Sequence, residues 1–354
     1  MLKNFTIKNY KSFKDETTIN IDATHYKLLS ATNIHNDILK GALFFGANSS
    51  GKTNLLKALK LLFDLLFSDG PIDLASEQCV FSPHNSLYLE YHFKFDHDTV
   101  FYIVSYDMNT NKISEKIMYN EACLFDETTM NASKRKNIRD YFLTLQTDKK
   151  DVVNKFFDYI FNSVYINANN REIFSINNLF LTITNYLDKF GVEKINNFFN
   201  ELNFNQQLFY NEKKIMLQKE GLPRPMPFEL ESVGMQNLIN MLPSLFYIIN
   251  HSGMLIIDEF SSGFHNELGE VIVRYFMNNA KSSQIFLVSH STNLLSNTLL
   301  RPDQLYAIDF YGANGSIARR FSDEKPREAQ NIEQMYISGV FGGIPRYGED
   351  EYKY

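Results

Sequence analysis

Cysteine is nearly absent: Cys79 and Cys123 are the only two in 354 residues. Two thiols so placed suggest neither a disulfide framework nor a zinc site, so a reducing cytoplasm is the expected compartment. No apolar run is long enough to span a membrane, and the first residues lack the apolar core of a signal peptide. Tryptophan is missing, although Phe (31) and Tyr (20) are abundant. Positive charge is not in excess either. The net charge of −6 marks no obvious nucleic-acid binder, so contact with DNA or RNA would have to come from local basic patches. No heptad pattern lasts long enough for an extended coiled coil, and no internal repeat recurs. What is present suffices for a real core: 44% of residues are hydrophobic, and 21% charged argues against general disorder. The length suits one large α/β domain, or a core with an inserted subdomain.

The most informative stretch runs from Leu43 to Leu56. An apolar strand, Ala42 to Phe45, leads into Gly46-Ala47-Asn48-Ser49-Ser50-Gly51-Lys52-Thr53, which fits G-x-x-x-x-G-K-[ST] without a mismatch. In this loop backbone N–H groups and a helix N-terminus wrap phosphates, because small residues let the chain come close. Lys52 would reach the outer phosphates, and the Thr53 hydroxyl would complete a Mg²⁺ shell. Asn54, with Gly46 to Thr53 a candidate nucleotide-binding residue, follows on a helix whose polar stripe also holds Lys57, Lys60 and Asp64. These residues imply nucleoside triphosphate binding, with nothing visible that reads the base.

Around this loop the pattern changes several times. Phe5 to Ile7 and Thr17 to Ile21 alternate as two short strands on either side of Tyr10-Lys11-Ser12-Phe13-Lys14, and Ser68-Asp69-Gly70-Pro71 ends the loop's helix. Leu87, Leu89, Tyr91, Phe93 and Phe95, then Val100, Tyr102, Val104 and Tyr106, predict an antiparallel hairpin, with a third strand at Lys112 to Tyr119. Residues 126–205 hold almost no glycine and show helical spacing at 152–161, 179–190 and 195–202. They read as a helical subdomain inserted into the core. Its Lys134-Arg135-Lys136 cluster with Arg139 fits a solvated helix face better than a phosphate-backbone contact. Pro223, Pro225 and Pro227 close the insertion. Glu231-Ser232-Val233-Gly234 then opens a helix along Leu238, Ile239, Leu242, Leu245, Phe246 and Ile249, which Pro243 should kink unless the helix restarts there.

Two more strands carry chemistry at their ends. Met254-Leu255-Ile256-Ile257 runs into Asp258-Glu259, where the first acid would hold Mg²⁺ and the second would polarise an attacking water. Ser261 to His265 form a loop, and an amphipathic helix follows. Gln284 to Val288 is a third core strand, ending in Ser289-His290, and ligands of open α/β sheets bind at such ends. A last hairpin, Leu305 to Phe310 and Ser316 to Phe321, precedes a glycine-rich apolar tail at 336–345 that should dock rather than float.

In this order, Gly46–Thr53, Ser232-x-Gly234, Asp258-Glu259 and Ser289-His290 resemble the ABC-type ATPase heads of SMC, RecF and OLD proteins. The chain most resembles the stand-alone AAA-annotated ATPases of that group, many from phage-defence and abortive-infection operons. Asn9-Tyr10-Lys11-Ser12-Phe13 and the terminal Tyr336-x-x-Gly339-x-Phe341-Gly342 belong to the likeness, which covers nearly the whole chain. It implies an α/β P-loop NTPase head with a mostly parallel core sheet, an antiparallel β subdomain and an inserted helical subdomain. The lobes would span 1–125, 126–227 and 228–354. It also implies ATP and Mg²⁺ as cofactors, with hydrolysis to ADP and phosphate. Two heads would dimerise around ATP: Lys52, Thr53 and Asp258 from one chain, Glu259 as base and His290 near the γ-phosphate, with Ser232 and Gly234 arriving from the other. A separate effector, a nuclease or toxin, would be the partner, since little chain follows His290 for the Toprim domain of OLD nucleases. The alternative is a RecF- or SMC-like DNA-binding repair ATPase. The chain departs from the ABC pattern at Ser-Val-Gly-Met, which lacks the usual paired glycines, and at Phe264-His265, where transporters carry an aspartate-bearing loop. Gln78 is the best candidate for a glutamine loop.

Overall fold

Three fully buried five-residue strands, Gly41–Phe45, Met254–Asp258 and Gln284–Val288, whose only polar side chains lie at a strand end, set the architecture. Such runs belong in a parallel sheet covered on both faces. In the computed structural model, which describes residues 1–68, 72–130, 138–139, 150–177, 182–262 and 266–344, they lie side by side in a seven-stranded sheet. The chain begins with β1 (Leu2–Lys8) and β2 (Thr17–Asn20) and passes a small ribbon, β3 (Ile34–His35) and β4 (Ile38–Leu39). It then enters the core on β5 (Gly41–Phe45), followed by the helix Lys52–Phe67. A meander comes next: β6 (Ser86–Phe95), β7 (Asp98–Asp107), β8 (Lys112–Tyr119) and β9 (Ala122–Thr129). The helix Lys150–Phe161 leads to β10 (Val164–Asn167) and β11 (Glu172–Ser175). Helices Ile183–Phe190 and Glu193–Glu201 precede a second small sheet, β12 (Gln206–Asn211), β13 (Lys214–Lys219) and β14 (Met226–Pro227). Helix Val233–His251, β15 (Met254–Asp258), helix Asn266–Asn279 and β16 (Gln284–Val288) follow, and β17 (Leu305–Phe310), β18 (Ser316–Arg320) and helix Ile332–Ile337 end the fold.

The central sheet runs β11-β10-β15-β16-β5-β17-β18, parallel from β10 to β17 and antiparallel at both edges. Its side chains divide with period two. Ala42, Phe44, Met254, Ile256, Phe286 and Val288 enter one core with the helices Lys52–Phe67 and Lys150–Phe161 and the antiparallel sheet. Leu43, Phe45, Leu255, Ile257, Ile285 and Leu287 enter the other with helices Val233–His251 and Asn266–Asn279. The antiparallel sheet, β2-β1-β6-β7-β8-β9, lays its apolar face on the first of these, where Tyr91 donates to the Ala58 carbonyl at 2.6 Å. The expected mostly parallel core and antiparallel subdomain are both present.

The segment 126–227 is more mixed than its helical spacing suggests. Helices occupy 150–161, 183–190 and 193–201, but β10 lies inside the central sheet, paired in parallel with β15 from Val164↔Leu255 to Asn167↔Asp258. A three-residue apolar run, Val164 to Ile166, between helical stretches shows no periodicity of its own, so only its neighbour in space makes it a strand. Lys134-Arg135-Lys136 lies outside the described residues, as do Gly263-Phe264-His265 and Gly70-Pro71. Arg139 packs its guanidinium over the rings of Phe67 and Phe161. Helix Val233–His251 is a single element with Pro243 buried inside it. The tail docks as expected: Phe341 stacks on Phe321 at 4.0 Å, and Tyr336 donates to the Gly343 carbonyl. Among the described residues no helix is long and apolar enough to cross a membrane.

Candidate functional site

Because β16 lies between β15 and β5, the ends of these strands bring three sequence-distant segments together. β5 delivers the Gly46–Thr53 loop, β15 delivers Asp258-Glu259 and β16 delivers Ser289-His290. The loop turns on two glycines, with φ +155° at Gly46 and +107° at Gly51. A Cβ on Gly46 would sit 2.3 Å from the Ile308 carbonyl oxygen and 2.7 Å from Ser50 Oγ, so only glycine fits. Asn48 and Ser49 stand exposed on the lip, and Ala47 is half-buried. Lys52 Nζ reaches back across the loop to donate to the carbonyls of Gly46 (2.9 Å) and Ala47 (2.6 Å). Burial pushes Lys52 down to about 8, against the attraction of Glu259 and Asp258.

Thr53 and Asp258 meet directly, the hydroxyl donating to Oδ1 at 3.0 Å. Burial raises the Asp258 carboxyl above its ordinary value and the nearby Glu259 charge adds to this, while the hydrogen bonds from Thr53 and Tyr165 oppose both. A hydroxyl and a carboxylate side by side are the partial ligand set that Mg²⁺ takes when phosphates and waters complete its octahedron. A phosphate chain also fits. The Ser50 hydroxyl is buried inside the loop with no hydrogen-bond partner among the described residues, and the Lys52 ammonium is turned onto two loop carbonyls.

Glu259 leaves the strand end with φ +56°, a left-handed conformation that costs a non-glycine residue about 1 kcal/mol or more. That turn sends its carboxylate toward His290, with Nε2 and Oε2 3.9 Å apart. Burial and the Lys52 charge keep His290 below its usual value, so the imidazole is neutral near pH 7. Its backbone N–H donates to Ser261 Oγ at 3.1 Å.

One member of the site gave no signal in the sequence. Tyr165 on β10, the strand beside β15, is buried and directs its hydroxyl at Asp258 Oδ2, 3.4 Å away. A tyrosine in a short apolar run is an ordinary core residue until the strand order is known. Tyr165→Phe should leave the fold intact and weaken the Mg²⁺ dependence of nucleotide binding about threefold, the scale of one long hydrogen bond to a charged group. An unchanged Mg²⁺ titration would show that Tyr165 is packing only.

Ser232 and Gly234 are not brought to the loop within one chain. Ser232 is exposed and caps its own helix, its Oγ accepting from Met235 N at 3.3 Å. Leu230 and Val233, 72% and 58% exposed, flank it. Behind it, the buried Glu231 carboxylate accepts from the Ser232 N–H and from Lys219 on β13, whose Nζ lies 2.8 Å and 2.7 Å from its two oxygens. Gln78 bridges to Tyr10 through the backbone, but its side-chain amide donates to the His84 carbonyl at 2.7 Å.

Residues 42–296 match the family described as "AAA domain, putative AbiEii toxin, Type IV TA system". The chain belongs to this family. Among solved structures, this AAA domain superposes on an SMC head domain from Thermotoga maritima with a TM-score of 0.54 and 18% identity, covering 90% of this chain and 97% of the other. An SmcHead solved in complex with the C-winged helix domain of ScpA gives a TM-score of 0.50 and 15% identity, covering 90% and 96%. No curated protein matches by sequence. At these identities the structural likeness establishes the fold, and fold and family together are those of an ABC-type, SMC-head-like P-loop ATPase.

Proposed function

We propose that this protein binds ATP with Mg²⁺, pairs with a second copy around the nucleotide, hydrolyses it, and through that cycle controls a separate nuclease or toxin in bacterial anti-phage defence in the cytoplasm. The observation that carries the catalytic half is the Thr53–Asp258 hydrogen bond, with Glu259 and His290 beside it. When bound, Mg²⁺ would neutralise charge on the phosphates. Thr53 and Asp258 would hold it, and Lys52 would swing from the loop carbonyls to the outer phosphates. Glu259 would accept a proton from the attacking water, and the neutral His290 would orient that water or the γ-phosphate. The paired half rests on the exposed Ser232 helix start, whose free N–H groups suit an anion supplied from outside the chain. The toxin–antitoxin wording of the family supports the defence role.

Sedimentation with ATP and Mg²⁺ tests the pairing. The wild type should shift to a dimer, whereas Ser232→Arg should bind ATP and stay monomeric. A wild type that stays monomeric, or a variant that pairs equally well, would remove the two-chain site. Co-expression with the protein encoded beside it tests the effector role, which fails if that protein's toxicity is indifferent to Lys52→Ala.

The lowered Lys52 makes binding pH-dependent. Only its ammonium form pairs with phosphate, and a bound phosphate raises its pKa again, so the complex holds more proton than the free site. ATP affinity should therefore fall as pH rises through about 8, with fractional proton uptake at that pH. Calorimetry in two buffers of different ionisation heat reads the uptake directly. Zero uptake at pH 8 would place Lys52 away from the phosphates.

A further inference from the structure

Four polar groups from three distant parts of the chain form one hydrogen-bonded line behind the P-loop. Asn54, at the start of the loop's helix, donates through Nδ2 to Ser12 Oγ at 2.8 Å. Ser12 Oγ and Ser316 Oγ are 2.7 Å apart, and Ser316 Oγ lies 2.6 Å from the Ser50 carbonyl oxygen. Ser12 Oγ accepts from Asn54, and the single Ser316 hydroxyl proton has two acceptors in reach, Ser12 Oγ and the Ser50 carbonyl. The line starts and ends on the loop itself, and it closes a ring through the N-terminal turn and the β17–β18 hairpin.

The place where the hydroxyls meet is shaped by a missing side chain. A Cβ on Gly51 would lie 2.4 Å from Ser316 Oγ and 2.6 Å from Ser12 Oγ. Gly51 therefore supplies the left-handed turn and also leaves the space that the two serines fill. The two segments are fastened to each other as well: Ser316 N donates to the Ser12 carbonyl at 2.7 Å, and a Cβ on Gly315 would come within 2.4 Å of that same oxygen. Ser316 and Ser50 are buried, so water does not compete for these bonds.

We propose that Ser12 and Ser316 are positioning residues that hold the Ser50–Lys52 turn in its phosphate-cradling shape, and that they act as one unit. Neither would touch nucleotide. They fix the carbonyl of Ser50 and, through it, the direction of the Gly51 and Lys52 N–H groups. The idea rests on the ATP-binding reading for its consequence but not for its geometry, so two readouts are needed.

The first readout needs no nucleotide. Hydrogen exchange of the peptide spanning Gly46 to Asn54 should quicken about fivefold to tenfold in Ser316→Ala and in Ser12→Ala, the worth of one buried hydrogen bond. Exchange in β6 and β7 should not change. The second is titration with a fluorescent ATP analogue, where each variant should bind about fivefold to tenfold more weakly. The double variant should be no worse than either single one, because breaking the line once breaks it, and Ser12→Thr, which keeps the hydroxyl, should restore both readouts. Exchange unchanged in both single variants, losses that multiply in the double variant, or loosening that spreads to β6 and β7 would each overturn the proposal. A wild type that exchanges as described yet binds no ATP analogue would instead overturn the nucleotide reading and leave the positioning role standing.

Discussion

Glu259→Gln should lower ATP turnover about a hundredfold to a thousandfold while ATP binding stays within about twofold of wild type. The reasons are local. Gln keeps the size and the planar end of Glu, so the φ +56° turn and the approach to His290 are preserved. It loses the basic oxygen that would take the proton of the attacking water. Asp258, which carries the Thr53 bond and the proposed Mg²⁺ contact, is untouched. Slowed hydrolysis with intact binding should let ATP-bound dimers accumulate, visible by gel filtration at Mg²⁺ and ATP concentrations where the wild type cycles. The check is single-turnover phosphate release. A variant that releases phosphate at the wild-type rate would remove Glu259 as the base. No release above this variant's level by the wild type would remove hydrolysis and leave a nucleotide-gated scaffold.

Gly41→Ala should be more damaging to the fold than any change in the site, with a loss of about 4 kcal/mol or more. Gly41 opens β5 at φ +133°, and a Cβ there would sit 1.7 Å from the carbonyl oxygen of Ile285 on β16. The obstacle is backbone in the middle of the sheet, so no rotamer change relieves it. Relief would require β5 and β16 to part, and these strands carry the P-loop and His290. Soluble yield and thermal unfolding measure the loss. A soluble variant melting within a few degrees of wild type would show that the sheet can open there.

The site was legible where chemistry is written contiguously. Gly46–Thr53, Asp258-Glu259 and Ser289-His290 each combine a buried strand with the candidate residues at its end in one short stretch, so pattern and chemistry reinforce each other. Parallel pairing then does what no sequence spacing can show, placing β16 between β15 and β5. Tyr165 was hidden for the same reason: its value lies in β10 being the neighbour of β15, across 93 residues. The serines behind the loop were harder still, since Ser12 and Ser316 are 304 positions apart and serine has no periodicity of its own. The Lys219–Glu231 pair behind Ser232 was equally silent, because a lysine on a half-exposed strand reads as solvent-facing.

The neighbours of β5 also bear on the timing of synthesis. The strand that carries the P-loop is made early, at 41–45, yet both its partners come late, β16 at 284–288 and β17 at 305–310. Ser316 is later again. At about 5–20 residues per second a ribosome needs some tens of seconds to cover that interval. Throughout it the nascent loop has neither a sheet to stand on nor the hydroxyl that braces its turn. On the proposed function, a growing chain would lack a nucleotide site until β16, β17 and Ser316 have been made, near the end of its own translation.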